Sequence, residues 1–339
     1  MSERKMRVLS IGAHPDDADT SAGGLLTKLK RKGWEIRLLS VTDGSAGTYH
    51  LELAGQELNL MRRAEAAASG ARLGARYDVL DHPDGRLEVT LEIREELIRY
   101  IRRFAPDLII TNRLNDYHAD HRNTAQLVQD ASFLLTVPAI CSDVPAMPHM
   151  PVVLYWHDSF KKPYPCQPDV IVPIDDTLED LVQHAACHEC QYFDWMYWPD
   201  NTELISWPRE KQIARLRERY DRLFAKYRQE YDEQVRAKFG ADADKIGHVE
   251  VYEISEYGEE PSQEFMDILE KYPDFKHFHL DSQTMPVQDY LEVYPEKKEL
   301  FKKYVSEGRI GVGPWFCLPD EFSVGGESLV RNLLLGHKI

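Results

Sequence analysis

The sequence has few cysteines, no excess of positive charge and no long apolar run, and each absence excludes a class of protein. Its 5 cysteines are odd in number and scattered over 339 residues. No disulfide framework is therefore indicated, and a reducing cytoplasm is the expected location. The 41 lysines and arginines are outnumbered by 57 aspartates and glutamates, giving a net charge of −16, the opposite of most nucleic-acid-binding surfaces. No run approaches the roughly 18–20 apolar residues that span a bilayer.

What the sequence does have is an alternation of short β-type runs with helical patterns through its first half. The expected strands are 7–11, 35–41, 77–80 and 107–111, and the expected helices are 23–32, 58–73 and 91–104. This alternation predicts an α/β fold with a Rossmann-like, mostly parallel sheet and helices on both faces. Further along, strands are expected at 152–156, 169–174 and 248–254, and helices at 178–192 and 209–238. A short α/β series beyond residue 263, with helices at 264–271, 287–307 and 328–335, predicts a C-terminal appendage.

A polar cluster directly follows the first expected strand, in the run Ala13-His14-Pro15-Asp16-Asp17. In an open parallel sheet, the loops at the carboxyl ends of the strands form the ligand crevice. His14 and Asp17 are three residues apart and can meet one divalent metal ion as nitrogen and oxygen ligands. The adjacent Asp16 would face elsewhere and stay free for proton transfer.

A second cluster, Asn115-Asp-Tyr-His118-Ala-Asp120-His121, follows the strand at 107–111 and should emerge on the same edge of the sheet. The two loops would then converge with a histidine, an aspartate and a second histidine. Three protein ligands and an open position for water are typical of catalytic zinc, not of structural zinc. A nitrogen and oxygen ligand set also accommodates Fe(II) or Mn(II).

Each cluster also has a simpler explanation. The first could be a turn in which an aspartate caps the following helix. The second could be a pair of histidines, His118 and His121, on a helix surface. Their joint placement after two strands of one parallel sheet favours the metal site.

Together these motifs resemble the PIG-L/LmbE family, whose members are zinc-dependent de-N-acetylases of N-acetylglucosaminyl compounds. The resemblance extends to about residue 262 and implies a deacetylase domain over residues 1–263. Two positions depart from the family pattern: Ala119 stands where proline is common, and Cys190 where serine is usual. The motifs that carry the resemblance are Ala13–Asp17 with Gly23-Gly24, Thr42-Asp-Gly44, Arg62-x-x-Glu65, Asp84-Gly85 and His118-x-Asp120-His121.

The resemblance also implies a role for each residue of the two clusters. Asp16 is expected to be the general base. His118 is expected to polarise the acyl carbonyl or to protonate the leaving amine, with Asp120 as its orienting partner. The expected zinc ligands are His14, Asp17 and His121.

Three charged residues outside the clusters are candidates for binding sugar hydroxyls: Arg62, Arg63 and Asp84. For each arginine, a charge on a helix surface is an equally good explanation. The expected partner is a small N-acetylated sugar, with no nucleic acid and no membrane span, and a homo-oligomer is left open.

The segment 264–339 resembles part of the catalytic domain of the family 38 α-mannosidases. The opening metal motif of that family is missing from the match, and Ile339 precedes the expected nucleophilic aspartate. No mannosidase activity is therefore assigned to it. The matching stretches are Phe275–Thr284, Gly308–Trp315 and Gly326–Asn332.

The expected function is metal-dependent hydrolysis that releases acetate from an N-acetylglucosamine-containing small molecule or oligosaccharide. Two alternatives remain: an amidohydrolase acting on a non-sugar N-acyl substrate, and a catalytically silent glycan-binding or scaffold protein. Asp16 speaks against the silent protein, because a pure metal or sugar binder needs no general base.

Overall fold

The computed structural model describes residues 5–197, 204–258, 278–280, 285–307 and 310–312. The chain divides into two compact units. The first unit comprises Met1–Val235 and Asp244–Ser262, and the second comprises Arg236–Ala243 and Gln263–Ile339. The expected division into domains at residue 263 stays a prediction.

The first unit contains a seven-stranded sheet. Its strands are β1 (Arg7–Gly12), β2 (Glu35–Thr42), β3 (Arg76–His82), β4 (Leu108–Thr111), β5 (Val152–Trp156), β6 (Val170–Pro173) and β7 (Val249–Ile254). They lie in the order β3-β2-β1-β4-β5-β7-β6. The pairings among β1 to β5 are parallel, whereas β7 runs antiparallel to both β5 and β6. The predicted mostly parallel sheet is confirmed.

Helices cover both faces of this sheet, as predicted. They are α1 (Asp17–Thr20), α2 (Gly23–Arg31), α3 (Gln56–Leu73), α4 (Leu91–Phe104), α5 (Ala119–Ser132), α6 (Leu178–Ala185) and α7 (Arg209–Glu230). A further helix, α8 (Asp232–Phe239), includes residues of both units. Because side chains alternate along a strand, Leu9 and Ile11 of β1 pack with α4 and α5. Val8 of the same strand packs with residues of α2 and α3 on the opposite face.

The helix ends differ from prediction in two places. The helix expected over 178–192 ends at Ala185. The chain then forms a π-helical turn (Cys190–Asp194) and a 3₁₀ turn (Trp195–Tyr197). The helix expected over 209–238 is interrupted at Tyr231, whose backbone leaves the helical region and whose ring packs against His157. Both stretches are rich in helix formers, so a pattern of residue types could not show the breaks. The predicted end of α3 is confirmed: Gly74 adopts the left-handed conformation there.

In the described residues beyond 263, the second unit has two parallel strands, β8 (Phe278–Leu280) and β9 (Ile310–Val312), and two helices, α9 (Met285–Val293) and α10 (Lys298–Ser306). The helix predicted over 287–307 is thus two helices, separated by a turn at Pro295. A small core is formed by Val287, Phe301, Tyr304 and Ile310. The helices predicted at 264–271 and 328–335 lie outside the described residues.

The strand order places a topological switch between β1 and β4. From β1 the chain builds β2 and β3 on one side, then crosses to build β4 and β5 on the other. The loops after β1 and β4 therefore separate at the carboxyl edge of the sheet and leave a crevice between them. Among the described residues, each helix is too short or too polar to cross a bilayer.

Candidate metal centre and active site

The turn after β1 folds the side chain of Asp17 back onto the strand end. Asp17 Oδ2 accepts hydrogen bonds from the backbone N–H groups of Ala13 and His14, each at 2.9 Å. Gly12 makes this possible, because a Cβ atom at that position would lie 2.4 Å from Cβ of Asp17. Any larger residue at position 12 would push the Asp17 carboxylate away from the strand end.

The loop after β4 ends in His118, which caps the N-terminus of α5. His118 Nδ1 accepts the backbone N–H of Asp120 at 3.1 Å. A neutral imidazole that accepts at Nδ1 carries its proton on Nε2. His118 can therefore present an Nε2–H donor.

The two loops bring three side-chain atoms together. His14 Nδ1 lies 3.1 Å from His121 Nε2. Asp17 Oδ2 lies 3.6 Å from His14 Nδ1 and 3.5 Å from His121 Nε2. Ligand atoms about 2.0–2.1 Å from one tetrahedral zinc ion are roughly 3.3 Å apart. The observed spacing fits a single divalent ion bound by the three residues that the sequence singled out as ligands.

The other nitrogen of each histidine faces a carboxylate. His14 Nε2 lies 3.1 Å from Asp84 Oδ1 and 3.4 Å from Asp120 Oδ2. His121 Nδ1 lies 3.1 Å from Asp116 Oδ1. Metal-binding histidines are usually oriented in this way, since a carboxylate that holds one ring N–H leaves the other nitrogen free for the ion. The arrangement directs His14 Nδ1 and His121 Nε2 toward the same point.

Two other groups of candidate ligand atoms overlap this cluster. Within each, the donor atoms lie within 4.8 Å of one another; the groups are His14, His118 and His121, and His14, Asp84, His118 and Asp120. In the second group both carboxylates already accept backbone N–H groups, Asp120 from Gly85 and Leu87, and Asp84 from residues 46 and 47. Asp17 Oδ2 also accepts two backbone N–H groups, so these bonds alone do not separate the ligand sets. Position does: Asp84 and Asp120 face Nε2 of His14, whereas Asp17 faces Nδ1 of His14 and Nε2 of His121.

Asp120 occupies a different place from the one expected. The sequence predicted that it orients His118. In the structure its carboxylate faces His14, and its contact with His118 is made by the main-chain N–H. The pattern H-x-D-H does not distinguish these arrangements, because the choice depends on where the Gly85–Leu87 turn lies.

Asp16 is buried next to this cluster, with 4% of its surface exposed. Burial raises the pKa of its carboxyl group, and the negative charge of Asp17 raises it further, while Arg62 opposes both. Arg62 Nη1 lies 3.7 Å from Asp16 Oδ1. A carboxylate with a raised pKa is a stronger base, which is the property that a proton acceptor in catalysis needs.

The cluster strongly shifts the protonation of its own members. Burial raises the pKa of Asp17, but the charge of His121 and the hydrogen bonds and charge of His14 outweigh it, so the pKa lies well below its ordinary value. The pKa of Asp84 is lowered to about 2; burial opposes this shift, and the nearby imidazole of His14 is the main cause of it. Both carboxylates are therefore ionised at neutral pH, as ligands and supports of a cation must be.

The two candidate arginines lie in different surroundings. Arg62 is buried, and its Nη2 donates to Gln191. Its Nε and Nη1 have no hydrogen-bond partner among the described residues. Arg63 instead binds the carbonyl oxygens of Val79 and Leu80 and the carboxylate of Asp81 on β3. Arg62 is thus placed beside Asp16, and Arg63 is held by the end of β3.

Two residues of the site had no role assigned from the sequence. Asp116 belongs to the second cluster. Its position two residues before the histidine that caps α5 could have indicated that it contacts this part of the loop. Gln191 contacts Arg62 from a segment far along the chain, and no local pattern indicates that contact.

The fold and this cluster define a doubly wound α/β protein with a candidate metal centre at its switch point. The profile of the PIG-L family, described as GlcNAc-PI de-N-acetylase, matches residues 9–132. A diacetylchitobiose deacetylase of Thermococcus kodakarensis is 31% identical over 201 residues, which cover 57% of this chain and 73% of that protein. The chain belongs to the PIG-L family.

Two solved structures share the fold. The N,N'-diacetylchitobiose deacetylase of Pyrococcus horikoshii, complexed with its inhibitor MPG, matches with a TM-score of 0.55 and 24% identity, covering 74% of this chain and 84% of that one. The 4-carboxy-2-hydroxymuconate hydratase GalB of Pseudomonas putida matches with a TM-score of 0.56 and 18% identity, covering 74% and 95%. Since one is a deacetylase and the other a hydratase, the fold alone does not determine the reaction.

The C-terminal part matches a different family. The profile of the glycosyl hydrolases family 38 N-terminal domain matches residues 247–339. A provisionally named mannosylglycerate hydrolase of Halalkalibacterium halodurans is 45% identical over 75 residues, which cover 21% of this chain and 8% of that protein. The predicted partial resemblance is confirmed. The match begins two residues before β7 and so includes that strand of the sheet in the first unit.

Proposed function

We propose that this chain hydrolyses the acetamide group of an N-acetylglucosamine-containing small molecule or oligosaccharide. The observation that carries the proposal is the convergence of His14 Nδ1, Asp17 Oδ2 and His121 Nε2 beside the buried carboxylate of Asp16. The chain belongs to the PIG-L family, and its relative in Thermococcus kodakarensis is named as a deacetylase. Both facts support an acetamide as the group that is hydrolysed.

The ligand set suits a zinc ion and also Fe²⁺ or Mn²⁺. His14, Asp17 and His121 would hold the ion, which would lower the pKa of water and polarise the acyl oxygen as a Lewis acid. Asp84, Asp120 and Asp116 would keep the two imidazoles oriented.

Asp16 would act as the general base. Its carboxylate accepts a proton from water as the water oxygen adds to the acetamide carbon. Its raised pKa makes it a better acceptor than an exposed aspartate. Arg62, at 3.7 Å, keeps the ionised form accessible despite burial.

His118 would act as a proton or hydrogen-bond donor to the substrate. Its Nε2–H is available, because Nδ1 is occupied by the backbone N–H of Asp120. It can donate to the oxygen that gains negative charge, or supply the proton that the sugar nitrogen needs as the C–N bond breaks. Acetate and a free amine are the products.

The remaining predicted roles follow from this scheme. Arg62 is the stronger candidate for binding substrate, because its Nε and Nη1 have no hydrogen-bond partner among the described residues and Nη1 only faces Asp16 at 3.7 Å; Arg63 and Asp84 remain proposals in that role. A reducing cytoplasm is the proposed location, since the described cysteines Cys141, Cys166, Cys187 and Cys190 are all free.

The test is release of acetate from N-acetylglucosamine and from N,N'-diacetylchitobiose, before and after chelation and with metal restored. We expect activity to be lost with the chelator and regained with zinc. Asp16→Asn should lower kcat by about 10²- to 10⁴-fold while its metal content equals that of the wild type. Asp180→Asn, an exposed aspartate of α6 paired with Arg31, is the matched control and should keep full activity.

Three results would contradict the proposal. Full activity of Asp16→Asn would show that Asp16 is not the general base. Turnover of N-acyl amino acids without turnover of either sugar would favour the amidohydrolase. Tightly bound metal with no turnover of any amide would favour a silent binding or scaffold protein.

A further inference from the structure

Two aromatic side chains stack on each other at the rim of the metal cluster. Tyr117 and Phe160 lie with ring centroids 6.2 Å apart and planes 28° apart; they are called the Tyr117–Phe160 stack here. The Tyr117 ring also stands edge-on to His118 at 5.7 Å and is T-shaped to His121 at 5.6 Å. The aromatic surface therefore continues directly from the histidines of the candidate active site.

Both rings are open to solvent. Tyr117 is 71% exposed and Phe160 is 37% exposed. A single exposed aromatic residue is common on protein surfaces. Two that stack beside a reaction centre form a larger apolar face whose burial would be favourable. They are flanked by the exposed Lys161 and Lys162, so the rim is amphipathic.

The Phe160 side of the stack is held in place from the β4 side of the crevice. Arg113, which is 2% exposed, donates to both oxygens of Asp158 at 2.9 Å. Asp158 Oδ1 in turn accepts the backbone N–H of Phe160 at 2.7 Å. A buried charge thus fixes the main chain at an exposed phenylalanine.

A second set of bonds holds the same loop further along. Asn115 Nδ2 donates to the carbonyl oxygen of Tyr164 at 2.8 Å, and Arg113 Nη2 donates to it at 3.3 Å. Arg113 Nε is bound by Glu253 of β7 at 3.1 Å. Because Arg113 and Asn115 lie in the segment that leads into Tyr117, the same few residues position both rings. A preorganised surface loses less entropy when a ligand binds.

We propose that the Tyr117–Phe160 stack binds the pyranose ring linked to the N-acetylated sugar, and that the chain therefore prefers a disaccharide or longer chain to a monosaccharide. A pyranose has an apolar C–H face and a polar edge, which match an aromatic face beside charged side chains. The inference rests on the proposed function, because the acetamide at the metal cluster places the neighbouring sugar ring on the rim.

The test compares N-acetylglucosamine with N,N'-diacetylchitobiose in acetate release. The preference for the disaccharide in kcat/KM should fall about tenfold in Tyr117→Ala, equivalent to about 1.4 kcal/mol. The loss should appear mainly as a higher KM for the disaccharide. Tyr117→Phe should keep the preference, because it keeps the aromatic face. Phe160→Ala should also lower the preference for the disaccharide.

The matched control is Phe133→Ala. Phe133 is also a large exposed aromatic residue, at 65%, but it follows the opposite end of α5. That end lies about 20 Å along the helix from the His118 cap. The control variant should retain the wild-type preference.

Binding to the Asp16→Asn protein, loaded with zinc and measured by calorimetry with the same two sugars, separates the two proposals. If the wild type releases acetate but Tyr117→Ala keeps the disaccharide preference, the subsite is wrong and the function stands. If no acetate is released, yet the disaccharide binds more tightly and Tyr117→Ala abolishes that difference, the function is wrong and the subsite stands. If neither sugar binds, both are wrong. A shift of Tyr117→Ala from oligomer to monomer in sedimentation, with sugar preference intact, identifies the stack as a subunit contact and overturns the subsite.

Discussion

Asp116 Oδ1 lies 3.1 Å from Nδ1 of His121 and also accepts the backbone N–H of His118 at 2.8 Å. One carboxylate oxygen thus sets the orientation of a candidate metal ligand and fixes the main chain of the residue that caps α5. The position of both histidines depends on an aspartate that is itself not placed to contact the reacting atoms.

Asp116→Asn should weaken metal binding without unfolding the protein. The amide cannot hold the ring N–H of His121 as the carboxylate does, so the imidazole loses part of its orientation and basicity. Loss of such a partner typically lowers metal affinity about 10- to 100-fold. Titration with zinc in competition with a chelator measures the change. Asp130→Asn, at the other end of α5, is the control, and equal affinities in all three proteins would contradict the assignment.

Arg102→Lys should strongly destabilise the first unit. The five N–H groups of the buried Arg102 guanidinium are shared among six carbonyl oxygens within hydrogen-bond distance, those of Leu134, Leu135, Val137, Ile140, Cys141 and Val144. An ammonium has three donors and no planar fork, so several buried carbonyls lose their partner. We expect the free energy of unfolding to fall by about 3 kcal/mol. Denaturant titration measures it, and the neighbouring exposed Arg103→Lys should change it by less than about 0.5 kcal/mol.

The two glycines that begin α2 should differ in their tolerance of alanine. A Cβ at Gly24 would lie 2.4 Å from Cγ2 of the buried Ile174 and 2.8 Å from Glu250 Oε1. Glu250 cannot withdraw easily, because it accepts the backbone N–H groups of Gly24 and Leu25. A Cβ at Gly23 would meet Leu181 Cγ at 3.1 Å. Gly24→Ala should therefore lower the free energy of unfolding by about 2 kcal/mol more than Gly23→Ala. Equal melting temperatures for the two variants would show that the helix start can shift to make room.

His157 should make the first unit less stable as the pH falls. Burial lowers its pKa to about 4, and the charges of Arg113 and Lys226 act in the same direction. The unfolded chain takes up a proton near pH 6.5, and the folded protein does so only near pH 4. The contribution of this residue is thus present above pH 6.5 and is lost as the pH falls toward 4, by on the order of 3 kcal/mol.

His157→Phe keeps a ring against Tyr227 and removes the proton site. The difference in unfolding free energy between the variant and the wild type should therefore change across pH 4 to 6.5 and be constant above it. Chemical denaturation at several pH values measures this difference. Parallel curves over the whole range would show that His157 does not carry the effect.

The regular α/β part of the fold and the meeting of the two motifs could be predicted from the sequence. Parallel strands send successive loops to one edge, so residues after β1 and β4 must approach each other at the switch point. The ends of α4 matched the prediction because apolar periodicity continues to Phe104 and then stops. These features follow from local patterns together with one rule of sheet topology.

The supports of the site could not be predicted in the same way. Asp120 is a carboxylate in a recognisable motif, yet its partner depends on the turn at Gly85, far away in sequence. Arg113 looks like any charged residue after a strand, and its burial depends on Asp158 from the loop after β5 and on Glu253 from β7. The partners of a long polar side chain are set by residues that the folded structure brings close from distant parts of the sequence. A short sequence pattern does not contain that information.

The position of β7 between β5 and β6 has a consequence for synthesis of the chain. On the ribosome, β6 emerges well before β7, yet its pairing partner in the sheet is β7. The nascent chain must therefore keep β6 and the exposed border of β5 from pairing with other molecules until translation has passed residue 254. Pausing or premature termination before that point should produce aggregation, even though every residue of the metal cluster has already been made.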